Sequence, residues 1–255
     1  MSTVKQLNLT SRQAKQRELA VQLRLMARLE ATFIPKYRAL LVLNARAASK
    51  AYISNGKRGA VATANTLKKG LKPVLIANIT ASMTTFGRHT LSQFRKGKKA
   101  TEDVFNDAIQ AYLKEHGLDK IDQIAETTRD NILAIIAAGE AEGLAIHEIA
   151  ANIVEQAGGT IARVRAHTIA ITETHSAATF ASDAAAESTG LTLTRVWMAA
   201  DDARTRPTHI DADGQRRSMT KPFTVGGASL DRPGDPNGPA RETVRCRCVV
   251  LYEEP

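Results

Sequence analysis

A mainly α-helical protein with a small C-terminal α+β module is the fold class that this 255-residue sequence predicts. Three observations carry it. Aromatic residues make up only 4% of the chain while alanine is abundant, which favours closely packed helices over aromatic-rich strands. Apolar residues recur at helical intervals through most of the first 189 positions. From Gly190 onward the pattern changes to alternation punctuated by glycine and proline. A hydrophobic content of 43% is ample for a buried core.

The charge is distributed unevenly. Residues 1–100 hold 20 Lys and Arg against two acids, Glu18 and Glu30, a net of +18. The other 155 residues hold 15 bases and 24 acids, a net of −9. Such asymmetry marks a basic arm that meets nucleic acid or an acidic partner surface, joined to a body with a different task.

The arm reads as helices. The segment "TSRQ" at Thr10–Gln13 has capping-box spacing, and Leu19, Leu23, Met26 and Leu29 follow, predicting a helix to about Phe33. Pro35 suits the first turn of a second helix from about Lys36, which "SNGKRG" closes after Ser54. A third helical stretch, 60–86, is expected to bend or split at Pro73. Lys57, Arg58, Lys68, Lys69 and Lys72, with Arg95, Lys96, Lys98 and Lys99, are the candidate contacts to nucleic acid or a partner. Without a base-reading motif, such contacts would fall on the phosphates of double-stranded DNA, regardless of sequence.

Residues 101–189 predict a helical bundle. Thr101 caps a helix whose stripe runs Val104, Phe105, Ala108, Ile109, Tyr112 and Leu113, ending at Gly117. A second helix, 119–138, turns Ile121, Ile124, Ala125, Thr128, Ile132, Ile135 and Ile136 inward. A third, "AIHEIAANIVEQAGG", buries Ile146, Ile149, Ala150, Ile153 and Val154 and leaves His147 on the surface. The fourth, about 160–188, carries an alanine face at Ala166, Ala170, Ala177, Ala178, Ala181 and Ala185 that other backbones can approach closely.

Residues 190–255 predict a small β-rich module packed on the bundle. "LTLTRVWMAA" alternates as a half-buried strand and holds Trp197, and Asp213-Gly214 signals a hairpin turn. "TVGGASLDRPGDPNGPARET" reads as a long irregular loop too rich in glycine and proline to be passive. "TVRCRCVVLYEE" reads as a strand with Val244, Cys246, Cys248, Val250 and Tyr252 on one face. The two cysteines of the chain are either small hydrophobes in a core-facing row or half of a metal site. His209, with Asp202, Asp211 and Asp213 nearby, supplies the further ligand candidates, and two thiols, one imidazole and one carboxylate or water suit zinc. "HIDADG" lacks the first and twelfth ligands of a calcium loop and reads as a turn. Asp202, Arg204 and Arg206 also suit a salt-bridge lattice beneath the strands. A metal-dependent hydrolase or nuclease would use Asp202 and His209, with Glu173, but no H-E-x-x-H, Gly-x-Ser-x-Gly or phosphate loop accompanies them.

Four segments in order, "IAITETHSAATFAS" (169–182), "RVWMAADDARTRPTHIDADGQ" (195–215), "FTVGGASLDRPGDP" (223–236) and "RCRC" (245–248), resemble the phage Mu protein F-like head-morphogenesis family. The resemblance covers residues 145–252. The family positions fall on Thr172, Glu173, Trp197, Asp202, Arg204, Arg206, His209, Asp211, Gly214, Gln215, Pro233, Gly234, Asp235, Pro236, Cys246, Arg247 and Cys248. Ile171 and Arg245 depart from the arginine and asparagine usual at those places. Of the four-ligand set found in related branches, His209, Cys246 and Cys248 remain, with Asp202 or Asp211 as the substitute for the missing member. The resemblance implies a non-enzymatic minor head protein of a bacteriophage virion, folded in the host cytoplasm and acting at the portal vertex in head assembly and DNA packaging. Its implied partners are the portal protein and the major capsid or scaffold proteins, with no membrane involved. The alternative is a hydrolase, nuclease or toxin-like effector carried in the capsid.

Overall fold

A computed structural model describes residues 11–94 and 102–254. The mainly α fold with small antiparallel sheets near the C-terminus is as expected. Helix α1 spans Arg12–Ser92, capped by the Ser11 hydroxyl, which accepts from the Ala14 amide at 3.1 Å. The helix is interrupted at Asn55 and Gly56, whose backbone angles are non-helical. The "SNGKRG" stop is therefore real, whereas Pro35 and Pro73 lie inside continuous helix.

The expected break at Pro35 fails for a physical reason. Both prolines are solvent-exposed, as are residues 31 and 69, whose carbonyls each proline leaves without an amide partner, so water satisfies what the ring removes. Replacing Pro35 by Ala restores that hydrogen bond and is expected to stabilise the protein by about 1–3 kcal/mol; thermal unfolding of the variant checks it.

Helix α2, Glu102–Tyr112, passes through a π-helical turn, Leu113–Gly117, into α3, Leu118–Ala141. Likewise α4, Ile146–Asn152, continues through a π-helical segment, Ile153–Ile161, into α5, Ala162–Ser188. The glycines at 117, 158 and 159 thus mark widened turns, not the helix ends expected of them. All seven residues expected inward on α3 are buried, and so is the alanine face of α5. Ile146 and Val154 are a correction: they are 55% and 39% exposed, Ile146 as the first residue of α4 and Val154 where the π-helical segment begins to shift the face that the α-helical spacing assumed. His147 is exposed, as expected. The Thr101 cap lies outside the described residues.

Strand β1, Thr194–Met198, is central in a sheet of order β2-β1-β5 with β2, Arg216–Ser218, and β5, Val249–Glu253, both antiparallel to it. Between β1 and β2 lies the short helix α6, Pro207–Asp211, so "HID" is helical and the turn falls at 212–215. The glycine- and proline-rich stretch is not wholly irregular. It holds a hairpin of β3, Phe223–Val225, and β4, Ala228–Leu230, joined by Gly226-Gly227, both at positive φ. Helix α7, Ala240–Thr243, follows.

The C-terminal strand begins later than its alternation suggests. Residues 244–248 are irregular, and Arg245 is left-handed at φ +56°, a break that alternation cannot reveal.

Contacts group the chain into two compact units. One comprises 1–29, 79–112 and 171–255; the other comprises 30–78 and 113–170. The basic segment thus contributes to both. The first unit has a core of Trp197, Phe223, Leu230, Cys246, Cys248 and Val250, among others. The second packs Ala45 and Ala48 of α1 against Ile132, Ile136, Ile149 and Ile153. There the Ser49 hydroxyl donates to the Ala150 carbonyl at 2.7 Å. Among the described residues, no helix is long and apolar enough to cross a membrane.

Candidate metal centre

Two separate segments of the first unit bring three soft ligand groups to the same spot. Helix α6 presents His209, and the irregular stretch before β5 presents Cys246 and Cys248 from alternate positions. All three residues are buried, and their ligand atoms lie within 4.8 Å of one another. His209 Nδ1 is 3.2 Å from Cys248 Sγ and 3.7 Å from Cys246 Sγ. Tetrahedral zinc with bonds near 2.3 Å to sulfur and 2.0 Å to nitrogen needs such edges at roughly 3.5 Å, so the donors fit that ion in type and spacing.

The imidazole is held from its other side. His209 Nε2 lies 3.2 Å from a carboxylate oxygen of Glu242 on α7, and that oxygen also accepts from the Thr208 hydroxyl at 2.8 Å. A carboxylate on the far nitrogen turns Nδ1 toward the thiols and fixes the ring, as in many histidine metal sites. The Trp197 ring meets the His209 ring edge-on, with centroids 5.7 Å apart, and packs on Phe223 at 5.3 Å. Trp197 is therefore a buttress for the ligand. Burial raises the Cys246 thiol, but hydrogen bonds from Cys248 and the Arg206 charge outweigh it and leave its pKa lowered. The hydrogen bond with Cys246, followed by burial, pushes Cys248 up.

Asp202 stands outside this group of donors. Its carboxylate lies 3.3 Å from both Arg204 Nη2 and Arg247 Nη1, and it accepts from the Arg204 amide and Thr205 hydroxyl. Burial works against the charged form, yet these donors and guanidiniums hold its pKa below the usual value. Asp211 is exposed at the end of α6. A cavity of about 10 Å³, the size of a single water, borders His209, Cys248 and Asp202, and is where a fourth ligand has room. The salt-bridge lattice proposed for Asp202, Arg204 and Arg206 is a surface one and does not lie under the strands. Arg206 instead donates to the Val244 carbonyl at 2.6 Å.

The other motif residues build the frame. Ser176 donates to the Gly234 carbonyl at 2.8 Å and Thr179 to the Pro233 carbonyl at 2.9 Å, docking the "PGDP" loop on α5. Asp235 closes that loop by accepting from the Asp231 and Asn237 amides. Gly234 is at φ +71°, and a Cβ there would lie 2.3 Å from His175 Nδ1, so only glycine fits. His175 Nε2 lies 2.7 Å from the Cys248 carbonyl, and burial lowers its pKa to about 4. Gln215 makes paired hydrogen bonds with the Thr224 backbone, and Gly214 is at φ +74° in the turn before it. Glu173 is buried on α5, and Pro236 is half-buried.

In the basic segment, Lys57, Arg58, Lys69 and Lys72 are exposed, while Lys68 pairs with Asp122 at 2.8 Å. Arg95, Lys96, Lys98 and Lys99 lie outside the described residues.

Sequence reading missed Glu242, whose only signal was an acid next to the final motif. It also missed Asp183, Arg195, Arg232 and Tyr252, a buried charge cluster. Arg195 Nη1 lies 3.1 Å from Asp183, Tyr252 donates to Asp183 at 2.6 Å, and Arg232 approaches Asp183 at 3.7 Å.

Residues 130–251 match the family described as Phage Mu protein F like protein. The matched region, a little under half of the chain, is similar to the phage Mu protein F-like family. The metal-centre residues and the docked "PGDP" loop all lie inside it. A relative in Enterococcus faecalis (strain ATCC 700802 / V583), named NAD(+)--arginine ADP-ribosyltransferase EFV, is 32% identical over 133 residues, covering 51% of this chain and 26% of the relative. The chain thus spans about a quarter of that protein's length. No solved structure matches.

Proposed function

We propose that the chain is a low-copy minor head protein that joins the portal vertex during head assembly and DNA packaging, and that it is not an enzyme. The observation that carries this reading is the phage Mu protein F-like region, with its motif residues spent on packing. Trp197 braces His209, Pro233 to Asp235 dock on α5, and Glu242 orients the imidazole. His209, Cys246 and Cys248 hold zinc as a structural crosslink between α6 and the segment entering β5, which a small sheet with two short flanking helices needs.

The basic segment supplies the second half of the reading. With 20 bases against two acids, and with Lys57, Arg58, Lys69 and Lys72 exposed, it suits the phosphates of packaged DNA or the acidic face of a portal ring. Cross-linking of intact virions tests it: links from residues 57–72 to DNA or the portal are expected. Links confined to the outside of the head would contradict it.

A second reading, an effector carried in the capsid, is favoured by the relative named as an ADP-ribosyltransferase. Asp202→Asn and His209→Ala discriminate the two. They abolish an activity under the second reading, and lower folding stability or incorporation under the first.

A further inference from the structure

Beside the metal centre lies an open cavity of about 290 Å³ lined by Arg204, Arg206, Arg245, Arg247 and Ile171. The arginines come from two stretches distant in sequence: the segment between β1 and α6, and the segment before β5. Among the described residues no acid lines the cavity. Asp202 at its margin pairs with Arg204 and Arg247, whereas among the described residues Arg206 and Arg245 have no carboxylate partner. Four guanidiniums against one carboxylate leave an excess of positive charge that repels itself across a partly enclosed space, where screening is weaker than on an open face. Arg245 is also held left-handed, at φ +56°, with its amide donating to the Thr172 hydroxyl at 3.1 Å. An arginine in that conformation costs roughly 1 kcal/mol or more, and among the described residues no hydrogen bond or ion pair of its side chain offsets the cost.

We infer that this cavity binds a phosphate group. A guanidinium fork matches phosphate oxygens in bidentate fashion, and a tetrahedral phosphate offers enough acceptors to be shared by several forks. A carboxylate, with two oxygens in one plane, satisfies fewer of them, which sets an acidic peptide second. The site is distinct from the basic segment and needs no DNA contact there. Arg206 shapes the cavity wall through Val244, while Arg204 and Arg245 are exposed to the ligand, Arg204 already holding Asp202 through one nitrogen.

The test uses the full chain with inorganic pyrophosphate as probe, followed by calorimetry, and a short DNA duplex and ADP as competitors. Pyrophosphate binding is expected in the wild type, weakened about tenfold or more in Arg204→Gln/Arg245→Gln. Unfolding temperature should be retained, and Lys57→Gln/Lys69→Gln/Lys72→Gln should bind pyrophosphate as the wild type does. Displacement by the duplex assigns the phosphate to nucleic acid, and the duplex salt dependence should then be shallower by about two in the arginine variant. Displacement by ADP but not by the duplex assigns it to a nucleotide. Absence of pyrophosphate binding, equal affinity in the arginine variant, or equal displacement by polyglutamate would overturn the inference.

Discussion

Cys248→Ala is expected to release bound zinc and destabilise the protein by about 3–5 kcal/mol, because one thiol and one imidazole remain buried without the ion they share. The magnitude separates the two readings of the cysteines. If they are only small core hydrophobes, removing one sulfur costs about 1 kcal/mol, the worth of a buried methylene-sized group. Metal analysis of protein purified without chelator should find about one zinc per chain, and a chelator should lower the unfolding temperature of the wild type but not of the variant. A wild type indifferent to chelator, with a variant that loses only about 1 kcal/mol, would leave the thiols as packing. Glu242→Gln should give a smaller loss in the same direction, since it loosens the imidazole without removing a ligand.

Asp183→Ala is expected to cost about 3–5 kcal/mol, a large share of the stability of an ordinary domain. The carboxylate is buried between Arg195 and Arg232, and Arg195 is only 3% exposed. Burial raises the Asp183 pKa while the two guanidiniums and the Tyr252 hydroxyl pull it back. Burial and the Asp183 charge push Tyr252 well up, so it stays a donor. Removing the carboxylate strands a guanidinium that keeps only backbone carbonyls of Ser218, Lys221 and Asp231. Chemical denaturation checks the value. The double variant Asp183→Leu/Arg195→Met should recover much of the loss, because two apolar groups replace a pair whose desolvation is costly. A loss below about 1 kcal/mol in the single variant would mean that water reaches the cluster.

Much of the helical architecture was legible because its periodicity is strong. Ile121 through Ile136 lie on one stripe, and no breaker interrupts them. The structure departs from the sequence pattern where the surroundings outweigh a local signal. Pro35 signals a boundary, yet a proline on the wet side of a helix loses little when solvent takes the freed carbonyl. The run 244–248 alternates like a strand, but Arg245 turns left-handed, and nothing in residue type announces that for an arginine. The Gly226-Gly227 hairpin, by contrast, was available: two glycines between Phe-Thr-Val and Ala-Ser-Leu form a turn signal, masked by the irregular stretch around them.

The metal centre divides in the same way. His209, Cys246 and Cys248 could be chosen by chemistry, since soft ligands are scarce in this chain. Asp202 was chosen by proximity in sequence, and the structure gives its carboxylate to Arg204 and Arg247 instead. Glu242 lies 33 residues from His209, in a stretch without periodicity, so only the fold brings the two together. Asp183 sits in an alanine-rich helix where a charge usually marks the solvated side, and its partners come from three other places in the chain.

The minor head protein reading is tested most directly by quantitative mass spectrometry of purified DNA-filled particles, counting this polypeptide against the major capsid protein. The account predicts a small, fixed number of copies per particle, retained after nuclease and salt washing. Complete absence from filled particles would contradict it and turn attention to the chemistry of Asp202 and His209.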